Sequence, residues 1–278
     1  MSLKLLYITN RPDIAQIAQK YGVDRVFVDL EINGKLERQK NLDTVISLHS
    51  LNDVAKLRDV LTTSELLTRI NPIFDGSQVE IDAVLAAGTD LIMLPMFKTK
   101  AEVETFSNLV AGRARTICLI ETKEAVENLD EILTVRGIDE YYIGLNDLHL
   151  SYGLTFMFEL LANGDVDRIC AKLRASGKPY GFGGIARINQ GLLLANYILS
   201  EHYRLGSSSV ILARAFCNCL EIQDILEIER VFENEVRKFR QYEWFLSRRD
   251  SAFFEDSREL LRAGVDEVKR ALELKKKI

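Results

Sequence analysis

The sequence predicts an α/β chain folded as a (β/α)8 barrel, a TIM barrel, followed by an extended helical segment. Three observations lead there. Eight short apolar runs are spaced along the first 220 residues, and helical patterns separate them. The runs are continuous rather than alternating, and rich in β-branched and aromatic residues, as in strands covered on both faces. A doubly wound sheet is the competing arrangement, but its glycine-rich dinucleotide signature is missing after the first run.

In chain order, strands are expected at 5–9, 25–30, 66–71, 90–95, 116–121, 141–145, 179–184 and 209–214. Helices are expected between them at 12–21, 51–61, 78–87, 99–110, 123–135, 157–175 and 190–203. Ser77 stands just before an amphipathic run. Thr122 caps the helix after the fifth strand, with Ala125 where a full capping box would need an acid or amide. Gly88, Gly112, Gly137 and Gly177 fall just past helix ends, where the backbone turns left-handed. From Glu221 onward the chain is charged helix former, without proline and with Gly264 as its one glycine. The division is therefore 1–220 for the barrel, then 221–278 for the eighth helix and a helical extension. That extension carries Phe232, Phe239, Trp244, Phe245, Phe253 and Phe254, more than one barrel helix covers. Two readings stand: a cap on the same subunit, or an arm on a neighbouring one.

Composition fits a soluble globular chain: 278 residues, 47% hydrophobic and 28% charged. A formal net charge of -5 argues against nucleic acid as a partner. Lys275, Lys276 and Lys277 read as a solvated helix end. No apolar run is long enough to span a bilayer and the first residues lack a signal-peptide pattern, so no membrane partner and a cytoplasmic setting are expected. Cys118 and Cys170 sit in apolar patterns, and Cys217 and Cys219 form C-x-C rather than C-x-x-C. Buried, reduced thiols are expected, not a zinc site.

The chemistry gathers at the carboxyl ends of the strands, the rim where barrels place it. Glu121 closes the fifth strand and Asp147 follows the sixth. A carboxylate at the tip of a buried strand costs free energy unless a cation or several donors meet it. Oxygen donors without cysteine or histidine favour Mg²⁺ or Mn²⁺. The other strand ends deliver Asp29 and Glu31, Arg69 and Asn71, Pro95 and Met96, Gly144, Leu145 and Asn146, Gly183 and Gly184 with Arg187 beyond, and Arg214. Arg69 suits a bidentate pair with a substrate carboxylate, or opposition to a developing enolate. The alternative is a structural pair with Glu121. Backbone N–H groups near Gly144 and Leu145 suit the other end of a small 2-oxo acid, with Asn146, Pro95 and Arg214 as further substrate contacts. Asp29 and Glu31 stand behind the ligands, hold a water, or pair with barrel arginines. Arg187 and Arg214 also admit a plain surface role.

The segments LIETKEAVENLDEIL and GIDEYYIGLNDLHLSYG, with AVLAAGTDLIMLPM and LLTRINP, resemble the HpcH/HpaI aldolase and citrate lyase family, the metal-dependent pyruvate aldolases. The likeness runs from the second strand to the eighth. It implies a (β/α)8 barrel, a homo-oligomer, and a C-terminal helix able to pack on a neighbour. It also implies Glu121 and Asp147 as metal ligands and Arg69 as the oxo-acid ligand. The implied activity is carbon–carbon cleavage or formation of a hydroxy-2-oxo acid through a pyruvate enolate, with an aldehyde as the second substrate.

Two departures stand out. Where the family's aldolases carry a histidine on the second strand this chain has Ile32, and its supporting aspartate is replaced by Ala86. The Asp-Leu-Glu of that strand resembles the citrate lyase β subunit instead, although no coenzyme A segment is visible. A citrate- or malate-type lyase, acting on the acid or its thioester, is thus one alternative, and a non-catalytic oxo-acid binder the other. For a replacement base, His49 and His149 are the candidates, each also readable as a loop or capping histidine. His202 reads as structural.

Overall fold

The computed structural model describes residues 2–33 and 49–275. Eight parallel strands close in sequence order into a barrel: β1 Lys4–Ile8, β2 Arg25–Asp29, β3 Glu65–Arg69, β4 Leu91–Leu94, β5 Arg115–Ile120, β6 Glu140–Ile143, β7 Tyr180–Ile185 and β8 Ser209–Leu212. The expected fold class is the observed one. The chain falls into two compact units, Leu6–Tyr142 and Met1–Leu5 with Ile143–Ile278.

In the first unit, α1 (Pro12–Lys20), α2 (Leu51–Val60), α3 (Ser77–Ala86), α4 (Lys100–Val110), α5 (Lys123–Glu127) and α6 (Leu129–Ile132) join the strands. The registers are in phase, with Arg25 beside Glu65, Asp29 beside Arg69, and Arg69 beside Met93. Strand side chains from Val26 to Val28, Leu66, Leu67, and Leu91 to Leu94 are buried, as are Ile117 to Ile120. That is the continuous apolar run expected of a strand covered on both faces. Two helix starts are capped beyond those expected. Ser50 with Asp53 and Thr99 with Glu102 are full capping boxes. Thr122 accepts from the Ala125 N–H, as expected, but the helix it opens breaks at Asn128 into α5 and α6. Ser77 is the first helical residue rather than the one before it; its Oγ accepts from the Phe74 N–H.

The amino-terminal ends of four strands hold an ion network that the sequence analysis missed. Arg25 is fully buried and forks onto Glu140 at 2.7 and 2.5 Å, while its Nε reaches Glu65 at 2.9 Å. Arg115 pairs with the other oxygen of Glu65. A signal was present: β2, β3, β5 and β6 each begin on a charged residue, two of each sign.

The second unit carries α7 (Leu145–Ser151), α8 (Glu159–Ala162), α9 (Asp165–Ala175), α10 (Ala195–Leu205), α11 (Ile225–Leu246) and α12 (Ser251–Lys275). The helix expected over 157–175 is two helices. Gly164 lies between them at φ +85°, and Asn163 accepts from the Asp165 N–H. Ahead of the helix expected from 157 the chain is already helical from Leu145, and the helix expected from 190 begins at Ala195. Gly183 has φ +58°, the left-handed backbone that favours glycine, and a Cβ there would also press on the tip of the Leu145 side chain, 2.8 Å from Cδ1.

The extension packs on its own unit. Helix α11 buries Phe232 and Phe239, and its Glu243 accepts the Leu3 N–H at 2.7 Å. Helix α12 lies on α10 and α8, burying Leu261 and Val265. Gly264 lets Leu193 approach, since a Cβ there would stand 2.8 Å from Leu193 Cδ1. Trp244 is exposed beneath the Arg248 guanidinium, 3.8 Å from it. Lys275 ends α12; Lys276 and Lys277 lie outside the described residues. No described helix is long and apolar enough to cross a membrane. Cys118, Cys170 and Cys217 are buried and Cys219 is half-buried, none of them in a disulfide.

His202 is packed as a core residue. Its ring stacks on Phe182 at 3.7 Å, Nδ1 meets Ser207 Oγ at 2.8 Å, and Nε2 has no partner among the described residues. Burial holds its pKa down from 6.5 to about 3. Below pH 6.5 the unfolded chain takes up a proton that the native chain refuses until about 3. Stability contributed by this group is therefore complete above that window and falls as pH drops through it. Urea titrations at neutral and acid pH are expected to show this loss, and His202→Asn to flatten it. An unchanged slope would show that other groups carry the acid sensitivity.

Candidate functional site

Residue by residue, the first unit assembles a charged cluster at the strand carboxyl ends. Arg69, at the end of β3, forks onto Asp29 at the end of β2, Nε to Oδ1 and Nη2 to Oδ2, both at 2.8 Å. The same Nη2 stands 3.3 Å from Glu31 Oε2. The register that sets Asp29 beside Arg69 makes this pair possible. Of the readings offered for Asp29 and Glu31, pairing with a barrel arginine is the observed one. Burial alone would lower the Arg69 pKa. The charges of Asp29, Glu31 and Glu121 outweigh it, so the guanidinium is held more firmly protonated than usual. Among the described residues Nη1 makes no hydrogen bond.

Glu121 is 2% exposed and follows β5 directly. Its Oε1 accepts the Met96 N–H at 3.0 Å. Met96 adopts φ +55°, a left-handed conformation uncommon for a side chain of its size, and that bend after Pro95 aims the amide at the carboxylate. Nothing in residue type or spacing announces it. Asn71 knits the neighbouring loop: its Oδ1 accepts the Ile32 and Asn33 N–H groups, both at 2.9 Å, and its amide donates to Glu80 at 2.6 Å. Ile32 is exposed here, and Ala86 ends α3, the helix end that leads to the amino-terminal end of β4.

His49 is half-buried beside this cluster, and its Nδ1 accepts the Asp29 N–H at 3.1 Å. A backbone N–H only donates, so the proton of the neutral ring sits on Nε2. The expected base is thus set, in its neutral form, as a donor.

In the second unit, Asp147 is half-buried in the first turn of α7, with Gly144 at the cap, Leu145 as the first helical residue and Asn146 after it. His149 lies in the last turn, its Nδ1 3.3 Å from the Leu145 carbonyl, and burial lowers its pKa. Arg214 is exposed two residues beyond β8.

The donor chemistry fits a hard divalent cation. Asp29, Glu31 and Glu121 put three carboxylates around one guanidinium, an excess of negative charge in a buried place. Among the described residues no group of three or more His, Cys, Asp or Glu side chains is placed to hold a metal ion, so the protein's own share of such a site is fewer than three of these ligands.

Comparison with known proteins gives a consistent family. The model of the HpcH/HpaI aldolase/citrate lyase family matches residues 4–181. A 2-keto-3-deoxy-L-rhamnonate aldolase of Shigella boydii is 31% identical over 151 residues, 42% of this chain and 55% of that protein. A hydroxypyruvate/pyruvate aldolase of Rhizorhabdus wittichii is 31% identical over 143 residues, 39% of this chain and 57% of that protein. The chain thus spans about half the length of the curated relatives it matches. A solved HpcH/HpaI aldolase/citrate lyase family protein of Burkholderia cenocepacia aligns with 81% of this chain and 94% of its own, with a TM-score of 0.61 at 15% identity, a likeness of fold.

Proposed function

Because the chain belongs to the HpcH/HpaI aldolase/citrate lyase family, we propose that it is a metal-dependent carbon–carbon lyase acting on a hydroxy-2-oxo acid. The observation that carries this is the cluster of buried carboxylates around Arg69 at the strand carboxyl ends. Glu121 and Asp147, which follow consecutive strands in the barrel order, are the proposed ligands of Mg²⁺ or Mn²⁺. When bound, such an ion supplies Lewis-acid polarisation of the 2-oxo group.

The protein's own residues do the rest. Arg69, held by Asp29, offers its Nη1 edge to the substrate carboxylate or to the enolate oxygen. Its two bonds to Asp29 fix the plane of the fork before any substrate arrives. As the C3–C4 bond breaks, the C4 hydroxyl proton leaves to water and the aldehyde forms. The enolate then needs a proton at C3. That proton returns to C3 from the water that took it, and His49, with its proton on Nε2 and Nδ1 anchored on the Asp29 amide, is suited to orient that water as a hydrogen-bond donor. Asn146, Leu145, Gly144 and Pro95 are the proposed surroundings of the oxo acid. The substrates proposed are a small 2-oxo acid and an aldehyde.

The test is proton exchange at the pyruvate methyl group in D₂O, followed by NMR with Mg²⁺ or Mn²⁺ and again with a chelator. Exchange that needs the ion is expected. Metal and pyruvate binding without any exchange would instead identify a non-catalytic oxo-acid binder.

A further inference from the structure

Strands β7 and β8 end in register, with Ile185 beside Leu212, and two residues beyond each comes an arginine, Arg187 and Arg214. The Ala213 N–H donates to the Ile185 carbonyl at 2.9 Å, so the two chains leave the sheet side by side. Both arginines line one cavity of about 520 Å³ together with Gln190, Asn218 and Glu221. Arg187 is fixed by its Nε, which donates to the Phe216 carbonyl at 2.6 Å. That bond uses one of its five donors. The terminal nitrogens of Arg187, and the whole guanidinium of Arg214, make no hydrogen bond or ion pair with a described residue.

We propose that this cavity is an anion-binding site for the phosphate or carboxylate group of a small metabolite. Two guanidinium groups face a single carboxylate, Glu221, leaving an excess of positive charge. Guanidinium forks match both anions in geometry, and two neutral amides offer further donors. The volume lies in the ordinary range for a small-ligand cavity. The loops after the seventh and eighth strands are also where barrels of this class frequently hold phosphate. Anchoring Arg187 lowers the ordering cost of binding. Arg214, free to swing, closes on the ligand. The site stands independently of the lyase reading, because its occupancy is read without turnover.

Calorimetric titration of the full chain at low ionic strength, with inorganic phosphate and separately with malonate, tests it. Saturable binding of one equivalent is expected. Phosphate alone would assign the site to phosphorylated ligands, malonate alone to dicarboxylates, and competition between them to the shared anionic chemistry. Arg214→Gln, at an exposed position with an unchanged melting temperature, is expected to weaken binding about tenfold. Arg187→Lys keeps the charge but loses the fork and should weaken it several-fold. Glu221→Gln removes the opposing charge and should tighten it, a gain that a merely structural role would not produce. Absence of saturation by both probes, or dissociation constants untouched by all three substitutions, overturns the proposal.

Discussion

Replacing Arg25 with methionine lowers the stability of the chain by about 3–5 kcal/mol in denaturant titrations. Arg25 has no exposed surface, and its fork holds both oxygens of Glu140, itself 8% exposed. Without the guanidinium, Glu140 keeps a charge in a place with neither water nor counter-ion, or takes up a proton. Either outcome costs free energy. Glu65 suffers less, because Arg115 still reaches it. The size of the loss comes from the stranded carboxylate rather than from the ion pair as such. Arg25→Met combined with Glu140→Leu should therefore recover much of it, since an apolar pair of similar volume needs no compensation. A double variant as unstable as the single one would mean that lost packing, not uncompensated charge, sets the cost.

Glu121→Gln is expected to reduce metal-dependent proton exchange at pyruvate by about a thousandfold, the scale of the several kcal/mol a Lewis acid supplies. The amide oxygen still accepts the Met96 N–H, so the fold at that corner survives and circular dichroism should be unchanged. The direct readout is Mn²⁺ affinity, followed by the paramagnetic relaxation of water. It should fall with the charge of the side chain. Asp147→Asn should lower the same affinity, and the double variant should do little more than either single one, as ligands of one ion behave as a unit. Undiminished Mn²⁺ affinity in Glu121→Gln would sink the assignment of this carboxylate.

The barrel was legible because each strand is a continuous apolar run, and burial on both faces follows from that pattern alone. The acids and arginines at the strand ends were legible for the same reason: a charged residue closing VFVDL or TICLIE has nowhere to go but the rim. What the sequence hid depended on partners distant along the chain. That Arg69 forks onto Asp29 rather than Glu121 follows from the β2–β3 register, which spacing does not encode. The tautomer of His49 is set by a backbone N–H twenty residues away. The helix break at Asn128 is hidden because the apolar periodicity continues across it, whereas the break at Gly164 carries a local signal, the Asn163-Gly164 turn pair. The ion network of Arg25 was overlooked, although the first residue of four strands carried it in plain sight.

The bend at Met96 has a consequence for how this chain tolerates change. A left-handed residue without glycine is held in place by its neighbours, and the cost of holding it is met once, during folding. The amide it aims at Glu121 is then already oriented when a ligand arrives, and association forfeits little freedom there. The corollary is lopsided mutability: glycine or asparagine at this spot relaxes the chain harmlessly, whereas valine or isoleucine pulls the carboxylate's hydrogen bond apart from a distance.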